Sequence, residues 1–341
     1  MPTIDPGLLT ETAEQRELRA VARDFFAAHG GDEALWKRMA GELGVQGLAI
    51  PEKHGGAGYS FAELAVVLEE AGRAVCAGGL LPAVVLAAHT LLLAGDERYL
   101  PGIADGSRRA TVAFDGDVRA RGGTLSGTAE FVLDGAVADL VLARAGDRLY
   151  ACEPDAASRL SLRVLDESRP QARIEFHDTP ATPIGSADIV PRVLDIGRAA
   201  LAAEQVGGIA HVLEATVAYV GQRRQFGRPI GSFQAVKHRL AALLVEYEAA
   251  RSAAAYAVAC VASESSELPV AAAAAATVCT GAYRLAVAEY VQLHGGTGFT
   301  WEHPAHRYVR RARADEVLFG TPQDHAARLA VALGLVSGNE R

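Results

Sequence analysis

The sequence predicts an α+β protein built from three consecutive segments: an N-terminal helical domain (residues 1–109), a small antiparallel β domain (residues 110–190) and a C-terminal helical bundle (residues 191–341). Apolar residues recur at helical spacing in the first and last segments. The middle segment has short runs rich in Val, Leu and Phe, separated by Gly and Asp. With 341 residues, 50% of them hydrophobic, the chain is long enough for several domains with a sizeable core.

The first segment contains two amphipathic patterns. One predicts a helix whose apolar face is formed by Leu18, Val21, Ala22, Phe25 and Phe26. The second predicts a helix that buries Leu64, Val67, Leu68 and Ala71 and exposes Glu69, Glu70 and Arg73. Between these helices, a proline and three glycines predict a loop over residues 51–58.

In the middle segment, strands are predicted over residues 111–114, 129–133, 140–143 and 172–176. Asp115-Gly116 and Asp134-Gly135 are predicted turns. The last segment has helical patterns over residues 198–219, 233–263 and 268–293, and its alanine run strongly favours a helix. Several long helices in sequence predict a bundle.

Composition excludes several classes of function. The formal net charge of −8 argues against nucleic-acid binding. The four cysteines form no close pair, so we expect no disulfide framework, no metal site and a reducing cytoplasmic location. No signal peptide is visible at the N-terminus. The apolar stretch over residues 80–94 is shorter than the roughly 20 residues of a spanning helix, so no membrane association is expected.

Two motifs in the last segment point to a dinucleotide ligand. One reads Arg-Arg-Gln-Phe-Gly-Arg-Pro-Ile-Gly-Ser-Phe-Gln over residues 223–234, and the other reads Gln-Leu-His-Gly-Gly-Thr-Gly-Phe over residues 292–299. A Gly-Gly pair after a helix lets backbone amides approach a ligand closely. An arginine fork suits a pyrophosphate. The second motif follows a helix and lacks the GxGxxG spacing, which excludes a Rossmann site.

Together with residues 51–58 and 69–73, these motifs closely resemble the acyl-CoA dehydrogenase family, over nearly the whole chain and most strongly in its C-terminal half. The resemblance implies an N-terminal helical domain, a central β domain and a C-terminal four-helix bundle that forms dimers and tetramers. It also implies FAD as cofactor and contacts to it from Arg223, Phe226, Gln234, Gln292, Gly295, Gly296, Thr321 and Gln323. In the family, the first six of these positions hold the adenine and pyrophosphate of the FAD of a neighbouring subunit.

The catalytic base of the family is missing from this sequence. Most members place a glutamate directly before a Gly-Thr pair near the C-terminus, where this chain has Phe319. A few members use a glutamate near the start of the first bundle helix, where this chain has Gly197. Neither residue can accept the α-proton that a carboxylate of raised pKa removes. No catalytic residue is therefore predicted in this chain, and Asp195 is only a weak candidate for a base.

The flavin-ring half of the site also departs from the family. The Thr-Glu-Pro and Gly-Ser-Asp motifs have no counterpart around residues 113–117. Leu133 stands where the family has a threonine near the flavin, and Arg311 stands where it usually has an acid.

This asymmetry resembles the base-lacking subunit of actinobacterial α2β2 acyl-CoA dehydrogenases, which act on CoA thioesters of steroid side chains. We therefore expect a heteromer in which a homologous partner carries the glutamate. The steroid substrate rests on analogy. Electron-transferring flavoprotein is the electron acceptor that the family implies.

Two other interpretations stay open. A homomeric flavoenzyme of this fold could resemble a flavin monooxygenase or use Asp195 as base, although an acid near a helix N-terminus also favours the helix dipole. A non-enzymatic assembly protein would not need Arg223 and Gln292 for cofactor binding. Glu204 is expected in a salt bridge on a solvated face, and Asp315 and Glu316 on a charged surface with the arginines at 310, 311 and 313. His294 is expected to pack against the partner or the cofactor. His303 and His306, with Glu302, suggest metal ligands, but Pro304 breaks the helical register that such a pair needs, so no metal site is expected there.

Overall fold

The computed structural model describes residues 4–30, 34–76 and 78–336. Its α-helices are α1 (Ala13–His29), α2 (Leu35–Arg38), α3 (Phe61–Arg73), α4 (Ala88–Ala94), α5 (Leu100–Ala104), α6 (Val190–Gln222), α7 (Gln234–Ala262), α8 (Leu268–His294), α9 (Ala305–Asp315) and α10 (Pro322–Ala332). Its strands are β1 (Ala110–Ala113), β2 (Gly116–Arg121), β3 (Thr124–Leu133), β4 (Leu140–Ala145), β5 (Arg148–Cys152), β6 (Ser158–Ser161), β7 (Gln171–Pro180), β8 (Thr182–Ser186), β9 (Arg224–Gln225) and β10 (Arg228–Pro229). The predicted α+β fold, helical at both ends and β in the middle, is confirmed.

The chain divides into two compact units. The first, the helical unit, comprises residues 1–28, 65–76 and 198–341. The second, the β unit, comprises residues 29–64 and 77–197. The three domain boundaries drawn from the sequence stay a prediction.

Two four-stranded sheets form the β unit, in the orders β1-β4-β5-β8 and β2-β3-β7-β6. Their facing sides enclose one core, which includes Val141 and Ala143 from the first sheet and Ile174 and Phe176 from the second. The other side of the first sheet packs on α4, α5 and the π-helical segment Leu80–Ala87. The sheets are antiparallel as predicted, except that β1 pairs with β4 in parallel. After β1 the chain forms β2 and β3 of the second sheet and returns to the first sheet as β4, parallel to β1. The alternation of apolar residues along a strand does not indicate the direction of the neighbouring strand.

The long helices α6, α7 and α8 belong to the helical unit, apart from the first turns of α6. Helix α6 begins at Val190, eight residues before the predicted start near Arg198, whereas α7 and α8 agree with the sequence patterns to within one residue at each end. Among the described residues, one helical stretch, Leu268–Phe299, is long and apolar enough to cross a membrane. Most of its apolar window is buried within the protein, as in the core helix of a bundle.

Helix α1 is fixed to α3 by charged side chains. Arg19 Nη1 lies 2.6 Å from Glu69 Oε2 and 2.9 Å from Glu70 Oε1, and Arg23 Nε lies 2.9 Å from Glu70 Oε2. The predicted exposure of Glu70 is wrong, because these arginines cover it. Burial opposes its ionisation, but the hydrogen bonds from Arg23 and Arg19 outweigh burial, so the pKa of Glu70 is lowered. On α1 itself, Ala22, Phe25 and Phe26 are buried as predicted, whereas Val21 is 54% exposed.

Helices α3 and α6 cross with their backbones in contact. A Cβ added to Gly72 would lie 2.0 Å from the Glu204 carbonyl oxygen, and one added to Gly207 would lie 1.8 Å from the Glu69 carbonyl oxygen. Glycine is therefore required at both positions, since no side chain fits between the helices. Arg73 and Glu214 form an ion pair across the same two helices.

Replacing Gly207 by alanine tests this crossing. The added Cβ overlaps the α3 backbone, so we expect Gly207→Ala to lower the free energy of unfolding by roughly 2–3 kcal/mol. Gly281→Ala is the matched control, because a Cβ at Gly281 of α8 meets nothing within 4 Å. There the higher helix propensity of alanine should raise stability by up to about 1 kcal/mol. Urea unfolding measures the free energy of unfolding of both variants. Equal changes of the same sign would contradict the backbone contact between α3 and α6.

Candidate functional site

The first cofactor motif forms a small hairpin directly after α6; we call residues 223–234 the arginine loop. The Arg223 amide donates to the Tyr219 carbonyl at 2.8 Å, and the Ile230 amide donates to the Arg223 carbonyl at 2.8 Å. Strands β9 and β10 pair antiparallel around Phe226 and Gly227. Arg223 and Gln234 are exposed at its two ends.

The tip of the arginine loop holds a phenylalanine in an unfavourable conformation. Phe226 and Gly227 have φ values of +52° and +78°, as a two-residue hairpin turn of type I′ requires. Glycine tolerates this region, but a bulky residue does so at a cost of order 1–3 kcal/mol. The Phe226 side chain is nevertheless 91% exposed, with one edge-to-face contact to Phe233 at 6.1 Å between ring centroids. An exposed aromatic ring on a strained turn suits a ligand that stacks on it.

The second motif is a turn at the end of α8; we call residues 292–298 the glycine turn. Helix α8 ends at His294, and Gly295 follows with φ +60° and ψ −140°. A Cβ added to Gly295 or Gly296 would meet nothing within 4 Å, so both backbones face open space. Gln292 is exposed beside them. Backbone amides are therefore accessible to an anionic ligand at this turn.

The structure brings the two motifs together. The rings of Tyr219 and His294 stack with centroids 4.1 Å apart and planes 25° apart. The Tyr219 hydroxyl donates to the His294 carbonyl at 3.5 Å. Sequence reasoning assigned no role to Tyr219, although its position four residues before Arg223 places it one helical turn away.

The segment at the missing base is firmly held. Phe319 has φ +62°, and its carbonyl oxygen accepts two hydrogen bonds from buried Arg198, from Nε at 3.1 Å and from Nη2 at 2.7 Å. Thr321 then caps α10 in a reciprocal capping box with Asp324. Gln323 is exposed in the first turn of α10. Position 319, which the sequence matched to the family's glutamate, carries an apolar side chain in this segment.

Other acidic residues are more buried than the sequence suggested. Asp195 is buried in the second turn of α6, so its interpretation as a helix N-terminal acid is wrong, because α6 begins at Val190. Gly197 is buried on the same helix. Glu204 forms the predicted salt bridge, with Oε2 at 3.6 Å from Arg311 Nη1, but both side chains are buried and not on a solvated face.

The predicted charged surface on helix α9 is wrong in part. Arg311 and Asp315 are buried and not part of a charged surface. The buried residues of α9 recur at helical spacing, at Tyr308, Arg311, Ala312 and Asp315, and that spacing could have identified them. Glu316 does pair with Arg313 at 2.8 Å, as expected for the outer face.

His294 and His303 serve packing in this structure. Their rings lie 4.6 Å apart, and each also packs on Tyr290. Burial lowers the pKa of His294, although its hydrogen bond to the Tyr290 carbonyl opposes the shift. Burial and the neighbouring His306 lower the pKa of His303. Among the described residues, no group of three or more His, Cys, Asp or Glu side chains could hold a metal ion.

The β unit contains the positions that the sequence matched to the family's flavin-ring motifs. Two residues, Phe114 and Asp115, connect β1 to β2, which leaves no room for a Thr-Glu-Pro and Gly-Ser-Asp loop. Leu133 is buried, and its carbonyl accepts a hydrogen bond from Thr111 Oγ1 at 2.6 Å. Phe131 has φ +52° beside an irregularity in the β3–β7 pairing, and its side chain is 68% exposed.

The residues present fit one half of an FAD molecule. The open glycine turn, the exposed Arg223 and the exposed Phe226 ring suit a pyrophosphate and an adenine. Leu133 and Phe319 offer no hydroxyl and no carboxylate at the positions matched to the ring threonine and the catalytic base.

Known proteins share this architecture. Family models for the acyl-CoA dehydrogenase N-terminal and C-terminal domains match residues 12–107 and 187–334. The acyl-CoA dehydrogenase IpdE2 of Mycobacterium tuberculosis is 35% identical over 338 residues, covering 94% of this chain and 98% of IpdE2. A solved steroid ACAD, Tcur3481–Tcur3483, is similar with a TM-score of 0.86 and 32% identity, covering 96% of this chain and 100% of the matched chain. The ChsE4–ChsE5 complex of M. tuberculosis gives a TM-score of 0.88 and 25% identity over 97% of this chain and 100% of the matched one.

The variant Phe226→Asn tests separately the backbone strain of the arginine loop and the contribution of its aromatic ring to FAD binding. Asparagine is the preferred first residue of a type I′ turn, so the variant should unfold at the same or a slightly higher temperature. Loss of the exposed ring should at the same time reduce the FAD content of the assembled protein. Calorimetry and flavin absorbance measure the two effects, and a drop in stability without any loss of FAD would contradict the assigned role.

Proposed function

This chain belongs to the acyl-CoA dehydrogenase family, whose members are FAD-dependent oxidoreductases acting on CH–CH bonds, and we propose that it is the base-lacking subunit of a heteromeric member. It completes the ADP-binding half of an FAD site whose flavin ring, substrate and catalytic glutamate belong to a homologous partner. Two half-sites of unequal completeness support this proposal: the ADP-binding half is present and exposed, whereas Leu133 and Phe319 replace the threonine and the glutamate of the flavin-ring half.

In the proposed site, this chain binds and orients the cofactor. The Arg223 guanidinium holds the pyrophosphate through its fork of donors, and the amides at Gly295 and Gly296 approach it without a Cβ in the way. Phe226 offers its ring to the adenine, with Gln234 and Gln292 as polar neighbours. When bound, FAD supplies the hydride acceptor for dehydrogenation, while a carboxylate removes the acidic α-proton of the thioester. Here that carboxylate is the partner's.

The related structures support a heteromer and a substrate class. Both Tcur3481–Tcur3483 and ChsE4–ChsE5 are pairs of differently named components, and the former is described as a steroid ACAD. We therefore propose an α2β2 assembly that introduces an α,β double bond into an acyl-CoA with a steroid-derived acyl chain. Electron-transferring flavoprotein is the proposed acceptor. A cytoplasmic location is also proposed, and it suits four buried cysteines that form no disulfide.

The visible flavin absorbance per mole of chain tests the proposal. The chain purified alone should be nearly colourless, because it holds half of a site. Co-expression with a homologous subunit that carries a glutamate before its Gly-Thr pair should yield a yellow, active complex. Stoichiometric flavin in the chain alone would contradict the proposal, and loss of its activity in Asp195→Asn would then support the homomeric alternative.

A matched pair of variants tests whether the arginine loop of this chain contributes to FAD binding. Arg223→Ala in the co-expressed complex should lower FAD content, since the pyrophosphate loses its charged donor. Arg163→Ala removes an exposed arginine of the β unit and should leave FAD content unchanged. Equal FAD content in the two complexes would instead favour an assembly role without cofactor contact.

A further inference from the structure

The arginine loop and the glycine turn lie far apart in sequence but share one contact. Tyr219 on α6 and His294 at the end of α8 are 75 residues apart. Their ring stack at 4.1 Å links the two helices at the points where both cofactor segments begin.

Tyr219 touches the backbone of both segments. Its carbonyl accepts the Arg223 amide at 2.8 Å, which fixes the first residue of the arginine loop. Its hydroxyl donates to the carbonyl of His294, the residue bonded to Gly295. The Arg223 contact is made by the Tyr219 backbone, whereas the Tyr219 hydroxyl and ring join this last turn of α6 to His294. Loss of the ring stack therefore loosens the end of α6, from which the arginine loop starts, relative to the glycine turn.

His294 is held from other sides as well. Nδ1 lies 2.8 Å from the Tyr290 carbonyl, one helical turn earlier, and the ring packs edge-on against Tyr290 at 4.7 Å. His303 packs on it at 4.6 Å. Burial lowers the pKa of His294, and because a carbonyl oxygen only accepts, Nδ1 is the donor in this hydrogen bond. The stack thus forms between two rings whose relative orientation is fixed.

We propose that Tyr219 and His294 are positioning residues for FAD, which set the spacing between the arginine that holds the pyrophosphate and the glycine turn that approaches it. The inference rests on the proposed function, because it concerns the same half-site. Neither residue touches the reacting atoms. Their effect is on cofactor affinity, since a site held in binding geometry loses less freedom when the ligand binds.

A second histidine–tyrosine stack provides the matched control. His211 stacks on Tyr308 with centroids 4.8 Å and planes 4° apart, within the same helical unit. Neither residue belongs to the arginine loop or the glycine turn. His211→Leu therefore removes a comparable stack that lies outside the two cofactor segments.

The test is an FAD titration of the apo complex, followed by flavin fluorescence, together with the unfolding temperature of the same apo protein. Tyr219→Leu should raise the Kd for FAD roughly tenfold, the size expected for loss of one aromatic pair of about 1.4 kcal/mol. Tyr219→Phe keeps the ring and should bind nearly as tightly as wild type. His211→Leu should lower the unfolding temperature about as much as Tyr219→Leu but leave the Kd unchanged.

Equal Kd values for Tyr219→Leu and His211→Leu would overturn the positioning role. The titration is made on whichever assembly of the wild-type chain binds FAD. If the chain binds FAD alone, the heteromer proposal fails, but the Tyr219 comparison still decides the role of the stack. If no assembly of the wild-type chain binds FAD, both proposals are overturned.

Discussion

The contact between Tyr219 and His294 joins the ends of the two helices that precede the arginine loop and the glycine turn. Helices α6 and α8 end side by side at this stack, and the arginine loop and glycine turn begin directly after those ends. Helix α6 is fixed further back by its close crossing with α3, where two glycines bring the backbones into contact. The exposed ends of the helices are thus held by a rigid interior, as a binding site on loops requires.

The two halves of the proposed site differ in this chain. Phe319 has a left-handed backbone, and buried Arg198 donates to its carbonyl, but position 319 offers no carboxylate. The short β1–β2 connection removes a loop that an enzyme with its own flavin-ring site would need. Phe226, in contrast, has a strained backbone conformation at the tip of the hairpin, where asparagine is the preferred residue. Strain retained at an exposed position is best explained by a ligand that uses the ring.

The sequence predicted the order of elements well, because periodicity and turn residues are local signals. It also predicted two cofactor segments, and the structure brings these segments together, although they lie far apart in sequence. It did not predict the parallel pairing of β1 with β4, which depends on how the chain moves between sheets. It also placed Glu70, Arg311 and Asp315 in solvent, since charge suggests exposure when the covering helix is unknown. The role of Tyr219 could not be predicted because its partner lies 75 residues away.

The central claim is that this chain supplies half of a shared FAD site, and counting the cofactor in the intact complex tests it most directly. Native mass spectrometry of the co-expressed complex gives the number of FAD molecules per assembly. An α2β2 complex in which this chain provides no flavin-ring site should contain two FAD molecules for four chains. Four FAD molecules per complex would show that this chain forms a complete site of its own, and would contradict the account.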